Sequence, residues 1–498
     1  MPTIDERLAD YRRTREEVER AVLSLATSVD GVGFELQASL HHLDLRRGGY
    51  VVLQGDGPPR LGLVTDLTTD NTSAGAQGVP GAEAGLVVRL ARGAGVVLDG
   101  DGRPFHDASV RPAASPEIGA WFDRARPPRA GLTVGEVLFA PGVPATLDGR
   151  GLDRHTFMCG QSGSGKTYSL GVLLERVLAE TSLRVVVLDP NSDYVGLSRL
   201  RAGADPTLSA RYAPAASEVA VWGDPATADH ALRLRFRDLD NTSQAAVLGL
   251  DPVQDREEYA ALLYLLLRQE SGRPLVHGPA DLLGSEDPGA RMLGTRALNL
   301  GVLDWQVWGP ELPSLVDELR SPTSRCTVVD LGSLGTPQEQ RLVADAVLAT
   351  LWGSRMSRRP CLVVIDEAHN VCPAVPPDEV TRLSTERTVQ IAAEGRKYGL
   401  YLLTSTQRPN KVHENVVSQC DNLLMMRMNS QADLIDLGRL LSFVPSGMLA
   451  GATGFGKGQA LVAGKLLPRA AYVRMGQRVT EEGGADIPAT WAAPRPPA

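Results

Sequence analysis

HTFMCGQSGSGKTYSLGVLLERVLAE, residues 155–180, is the stretch from which the fold is read. An apolar run, His155 to Cys159, reads as a strand. A glycine-rich turn, GQSGSGKT, follows at 160–167 and fits G-x-x-x-x-G-K-[ST]. The residues after it have helical spacing. Strand, glycine loop and helix in that order make a phosphate loop. Gly160, Gly163 and Gly165 let the backbone turn tightly, so that successive N–H groups, those of Ser162 and Ser164 among them, face phosphate oxygens. The helix adds its positive N-terminal end. Lys166 offers a compact cation to the β- and γ-phosphates, Thr167 a hydroxyl to Mg²⁺, and Tyr168 flanks the nucleotide. The expected ligands are ATP and Mg²⁺.

A phosphate loop needs a second acid, and CLVVIDE, residues 361–367, supplies a β-branched strand ending in Asp366 and Glu367. Asp366 is placed to hold Mg²⁺ with Thr167, and Glu367 to polarise a water for attack on the γ-phosphate. That pair favours ATP hydrolysis over transfer to another substrate. Gln407, just past the strand LYLLTST, lies at the same sheet edge, where an amide can touch the γ-phosphate or the attacking water. Between these strands, TERTVQIAAEGRKYG reads as a helix ending at Gly399, with Arg396 and Lys397 in its last turn. A second glycine-lysine run, GFGKG at 454–458, lacks the spacing and the Ser/Thr and reads as a hairpin turn.

Outward from the motif, strand and helix alternate: LRVVVLD, TVVDL, CLVVID, LYLLTS and NLLMMRM are strand candidates. The fold class is therefore α/β, a P-loop ATPase core on a parallel-rich sheet. The core is expected over 149–240 and 311–480, with a helical insert at 241–310 whose helix starts from an Asp251-Pro252 cap. Residues 1–27 read as a solvated helix. Short runs punctuated by Gly, Pro and Asp over 28–148 suggest a small N-terminal β-barrel or sandwich, with DNTSAGAQGVPGAEAG (70–85) as a loop and 481–498 as a Pro/Ala-rich tail. Leu232, Leu234 and Phe236 alternate with Arg233, Arg235 and Arg237, the pattern of a half-buried strand with a basic face.

With 498 residues, two or three domains are expected, and 43% hydrophobic residues suffice for packed cores. The net charge of −8 argues against a broadly basic, DNA-coating surface and leaves room for a local basic channel. Five cysteines without a C-x-x-C pair, no apolar run of membrane length and a charged N-terminus point to the reducing cytoplasm. Only 5 of the 51 basic residues are lysines, which makes Lys166 and Lys397 informative.

The order GQSGSGKT, VVVLDPNSDYVGL, VVIDEAHN, IAAEGRKYGLYLLTSTQRP, behind a β-rich N-terminal region, resembles the HerA family of hexameric DNA-translocating ATPases, relatives of FtsK. The resemblance runs over about 28–480. The letters DEAH inside it do not make a DEAH-box helicase: no second motor lobe is present, T-S-T-Q stands in place of S-A-T, and His369 reads as a structural hydrogen-bonding residue. The resemblance implies a RecA-like ring of six, double-stranded DNA in its pore, and ATP between subunits. It implies arginine fingers at Arg154, just before the P-loop strand, and at Arg396. It implies that 28–148 is a HAS-barrel-like domain that docks a partner, a NurA-like nuclease or an antiphage effector, in DNA repair or in defence. In the second motif Ser192 and Asp193 stand where the family pattern has Gly and Glu. Arg199 and Arg201, beyond that motif, are candidates for pore-loop contacts to DNA phosphates. An alternative reading is an ATP-gated ring scaffold that organises a defence effector with little translocation. A conjugative or secretion-coupling ATPase would call for a membrane anchor.

Overall fold

The computed structural model describes residues 3–21, 23–39, 44–73, 87–126, 130–269, 278–310 and 313–483. The chain divides into two compact units. One comprises Met1–Asp148 with Leu423–Gly476, the other Gly149–Asn422 with Gln477–Ala498.

In the first unit a polar helix, α1 (Ile4–Ala21), precedes six strands: β1 (Leu25–Ser28), β2 (Gly33–Ser39), β3 (Tyr50–Gln54), β4 (Arg60–Ser73), β5 (Val87–Val97) and β6 (Phe105–Pro112). They close into a barrel in the order β1-β2-β5-β4-β3-β6, every neighbour antiparallel. Alternate residues fill the interior, among them Phe34, Leu36, Val51, Leu53, Val64 and Val110. Gly95 is required beside Phe34, since a Cβ there would stand 2.3 Å from the ring. The expected small barrel is thus found, but it closes at Pro112. Helix α2 (Ser115–Ala125) interrupts the run, and β7 (Gly131–Val137) and β8 (Pro144–Asp148) form a separate hairpin.

The second unit holds β9 (His155–Cys159), α3 (Lys166–Glu180), β10 (Arg184–Asp189), β11 (Val219–Gly223), β12 (His230–Ala231), β13 (Cys326–Asp330), β14 (Cys361–Ile365) and β15 (Leu400–Thr406). Their order is β12-β11-β13-β10-β14-β15-β9, all parallel. Central strands such as β9, β13 and β14 are buried along their whole length, which is why they read as continuous apolar runs. The α/β class and the parallel-rich sheet expected from the alternation are the architecture observed. β16 (Cys420–Met425) begins in this unit, where Asn422 Nδ2 donates to the Gly151 carbonyl at 2.8 Å. Residues beyond it differ from the expected core boundary at 480. Leu423–Gly476 belong to the first unit, because β17 (Gln459–Gly464) and β18 (Ala471–Met475) pair with each other and β18 pairs with β7.

Three further expectations are corrected. Residues 232–237 are not a strand with a basic face. Leu234 makes a single bridge to Trp308, a 3₁₀ turn follows at Phe236–Asp238, and Arg235 is buried against Asp238 (2.6 Å) and Asp317 (2.7 Å). Asp251 caps a turn at Val253 and Gln254, whereas the helix that follows starts at Arg256. The run GFGKG is a turn leading into β17 rather than a hairpin. Most of the loop expected at 70–85, and the tail from 484 onward, lie outside the described residues.

Candidate active site

The P-loop joins the buried β9 to α3. Gly163 (φ 74°) and Gly165 (φ 93°) take the left-handed conformation that a side chain disfavours, and Gly165 caps α3. Ser164 closes the turn by donating its N–H to the Gln161 carbonyl, while its buried hydroxyl has no partner. Ser162 is exposed on the loop and Thr167 half-buried on the first turn of α3.

Lys166 is buried. Its Nζ stands 2.6 Å from Asp366 Oδ1, 3.2 Å from Glu367 Oε1 and 3.0 Å from Ser405 Oγ. Burial alone would depress the ammonium's pKa; the two carboxylates outweigh it and raise it. Ser405 also donates to Asp366 Oδ1 at 2.7 Å, and Tyr194 OH donates to Oδ2 at 3.3 Å. Glu367 follows at φ 44°, a left-handed conformation that costs a non-glycine residue of order 1 kcal/mol. Gln407 donates from Nε2 to Glu367 Oε1 at 2.9 Å, and His369 Nδ1 lies 3.3 Å from Oε2. Burial would raise the Glu367 pKa. The contacts with His369, Lys166 and Gln407 prevail and hold it at about 2, so the group is ionised throughout the neutral range.

The loop after β10 closes the same edge. Asp189 accepts the N–H groups of Asp193 (2.9 Å) and Tyr194 (2.7 Å). Burial pushes Asp189 up to about 7. Burial, followed by the charge of Asp366, lifts Asp193 to about 6. Ser192, at the position where the family pattern has glycine, takes φ 60°, and its hydroxyl bonds to Asp330 Oδ1 at 2.7 Å. The left-handed turn at this serine thus carries a side-chain tether.

Residues Gln477–Gly483 lie across this loop and α3. Arg478 is fully buried: its N–H donates to Tyr168 OH (2.8 Å), and its guanidinium reaches the carbonyls of Asp193 and Glu481 and stands 5.8 Å from the Tyr194 ring centre. Gly171 of α3 makes room, since a Cβ there would come within 2.6 Å of Arg478 Nε. Glu175, buried on α3, accepts the N–H groups of Val479 and Thr480. Arg199, a candidate for DNA contact, is paired to Glu481 at 2.7 Å, and Arg201 gives its N–H to the Val479 carbonyl.

The other two candidates lie elsewhere. Arg154 precedes β9 and Arg396 sits on the 3₁₀ turn Gly395–Tyr398 before β15, whereas the P-loop and Gln407 follow those strands. Both arginines meet Asp421 Oδ2, at 3.4 and 3.2 Å. Lys166, Asp366, Glu367 and Gln407 are thus one cluster, and Arg154 and Arg396 another at the opposite sheet edge. β9 alone separates the two edges by five residues, about 16 Å. Sequence reading did not assign roles to Ser405, inside β15, or to Tyr194, in the loop after β10, nor did it find the contact of His369 with Glu367.

An oxygen-rich edge of Asp366, Thr167 and the unpartnered Ser164 hydroxyl suits a hard divalent cation with a polyphosphate, and Lys166 Nζ already marks a cation position between the two acids. Strand, P-loop, acid pair and amide define a nucleotide-binding P-loop ATPase. Residues 132–271 match the family described as "Helicase HerA, central domain". The DNA double-strand break repair helicase HerA of Pyrococcus furiosus is 23% identical over 407 residues, covering 69% of each chain. The protein of the same name from Sulfurisphaera tokodaii is 22% identical over 489 residues, covering 89% of this chain and 90% of its own. Among solved structures, VirB4 of Thermoanaerobacter pseudethanolicus is similar at 15% identity and TM-score 0.47, over 70% of this chain and 96% of that one. The resemblance drawn from the motifs holds: the chain is an ATP-hydrolysing enzyme, similar in sequence to the HerA helicases.

Proposed function

We propose that this chain is an ATP-driven motor that moves on double-stranded DNA as a ring of six protomers. Lys166 would bind the β- and γ-phosphates of ATP, released from its two carboxylates as phosphate oxygens replace them. Glu367 would orient and polarise the attacking water, with Gln407 between that water and the γ-phosphate. Mg²⁺, held by Thr167 and Asp366, would neutralise charge on the β- and γ-oxygens. Arg154 and Arg396 would reach the γ-phosphate bound by a neighbouring protomer.

The observation behind the shared site is the placement of both arginines on the sheet edge opposite Lys166, tied to a single acid, Asp421. A separation of about one strand length, ~16 Å, supports their serving a neighbour's nucleotide rather than that of their own chain. Action on DNA is carried over from the names of the HerA relatives; a partner nuclease or antiphage effector docked on the barrel rests on the family resemblance of the motifs alone. Arg199 and Arg201 would contact DNA phosphates once Glu481 releases Arg199. Among the described residues no helix is long and apolar enough to cross a membrane.

The test is ATPase activity with linear and closed circular duplex at two salt concentrations. Linear duplex should stimulate, the effect should fade steeply with salt, and closed circles should stimulate far less. No response to either DNA at low salt, with rings confirmed by mass, would favour an ATP-gated scaffold instead.

A further inference from the structure

The sheet edge opposite the P-loop carries a second feature. Where β10, β14 and β15 begin, Arg184, Arg320, Arg355 and Arg359 line a cavity of about 30 Å³, with Ser354 and Tyr398 beside them. That is room for about two water molecules or one small tetrahedral oxyanion. Among the described residues no Asp or Glu lines it. In a chain of net charge −8, four guanidiniums meet there, and among the described residues none is paired with a carboxylate.

Their donors are not satisfied from within. Arg184 makes one bond, from Nη1 to the Leu319 carbonyl at 3.4 Å, and its Nε and Nη2 are buried without an acceptor. Arg355 donates Nη1 to the Trp352 carbonyl at 2.9 Å and lies over the rings of Trp352 (4.4 Å) and Tyr398 (5.7 Å). Its Nε, too, is buried without an acceptor. The stacking fixes the plane of that guanidinium, which is the arrangement that favours forked bonds to an oxyanion. Buried donors are almost always matched in folded proteins, so this set calls for an acceptor that carries negative charge.

We propose that this cavity is a second oxyanion site, distinct from the P-loop, that takes a free or terminal phosphate group. Arg184 and Arg355 supply the inner donors and Arg359 the rim. Tyr398 ends the same 3₁₀ turn that carries Arg396. Occupancy therefore steadies the turn on which a candidate finger is mounted. The phosphate comes either from solution, as the product of hydrolysis, or from the 5′ end of a DNA strand.

The experiment measures binding of radiolabelled inorganic phosphate to the full chain carrying Lys166→Ala, which disables the P-loop cation and makes the readout independent of hydrolysis. Binding should persist in that background. It should weaken by about tenfold or more when Arg184→Gln and Arg355→Gln are added. Arg359→Glu, at an exposed position, should also weaken it and guards against a folding defect in the double variant. A 5′-phosphorylated oligonucleotide that displaces the label, when its 5′-hydroxyl counterpart does not, assigns the site to DNA ends. Displacement by neither assigns it to free phosphate. Equal displacement by both oligonucleotides overturns the proposal, as does phosphate binding that is absent in the Lys166→Ala chain or unchanged by Arg359→Glu and the double variant.

Discussion

Lys166 and Asp366 are 200 residues apart in the chain, and their Nζ and Oδ1 atoms are 2.6 Å apart in the fold. The contact couples the two halves of a nucleotide site, and it predicts different losses for the two acids. Asp366→Ala removes the partner of Lys166, Ser405 and Tyr194, and should weaken Mg·ATP binding. Glu367→Gln keeps the shape of the side chain and should still bind ATP, with turnover slowed about 100-fold by loss of a general base. Single-turnover hydrolysis beside a nucleotide-binding titration separates the two. Near-normal turnover in Glu367→Gln would sink the role given to it.

The strap across α3 makes a stability prediction. Arg478→Ala leaves two carbonyls and a cavity where a buried guanidinium was bonded. It should cost about 3 kcal/mol in denaturant unfolding. It should also loosen Tyr194 against Asp366, and so weaken nucleotide binding more than a substitution at the exposed Arg469 does. Equal binding in the two variants would mean that the strap is a stabilising element only.

His155 predicts a pH dependence. It is buried at the start of β9, and its Nδ1 accepts the Leu402 N–H at 2.9 Å. Burial, with Arg396 nearby, lowers its pKa to about 4. The native ring stays neutral where the unfolded one, with pKa near 6.5, takes up a proton. The stability is therefore intact above about pH 6.5 and is lost as the pH falls toward 4. Between pH 7 and pH 5 the loss should be about 2 kcal/mol, and His155→Gln should abolish it. Ring NMR of selectively labelled histidine checks this directly; a midpoint above 6 would contradict it.

The parts of this site that were legible in the sequence are local ones. Gly163, Gly165 and Lys166 announce themselves because a phosphate loop needs those residue types at that spacing, and Asp366 because it ends a buried β-branched run. Ser405 is an ordinary residue inside β15 and Tyr194 one in the loop after β10, and only the parallel register of β14 with β15 and the turn after β10 bring them to Asp366. Arg235 misled for the opposite reason. Alternation suggested a basic face, yet Asp238 and Asp317 draw that guanidinium inward. The barrel was legible as short punctuated strands. Its end was not, since β7 is strand-like in composition and only its pairing with β18 shows that it lies outside the barrel.

The most direct measurement of the shared site mixes two inactive chains. Arg154→Ala keeps an intact P-loop and lacks the finger; Lys166→Ala keeps the finger and lacks the loop's cation. Each alone should bind into rings and hydrolyse ATP at a near-background rate. In an equal mixture allowed to exchange subunits, about one quarter of the interfaces join an intact loop to an intact arginine, and a comparable fraction of wild-type turnover should return. Background activity in a mixture whose exchange has been demonstrated would contradict an arginine acting between protomers.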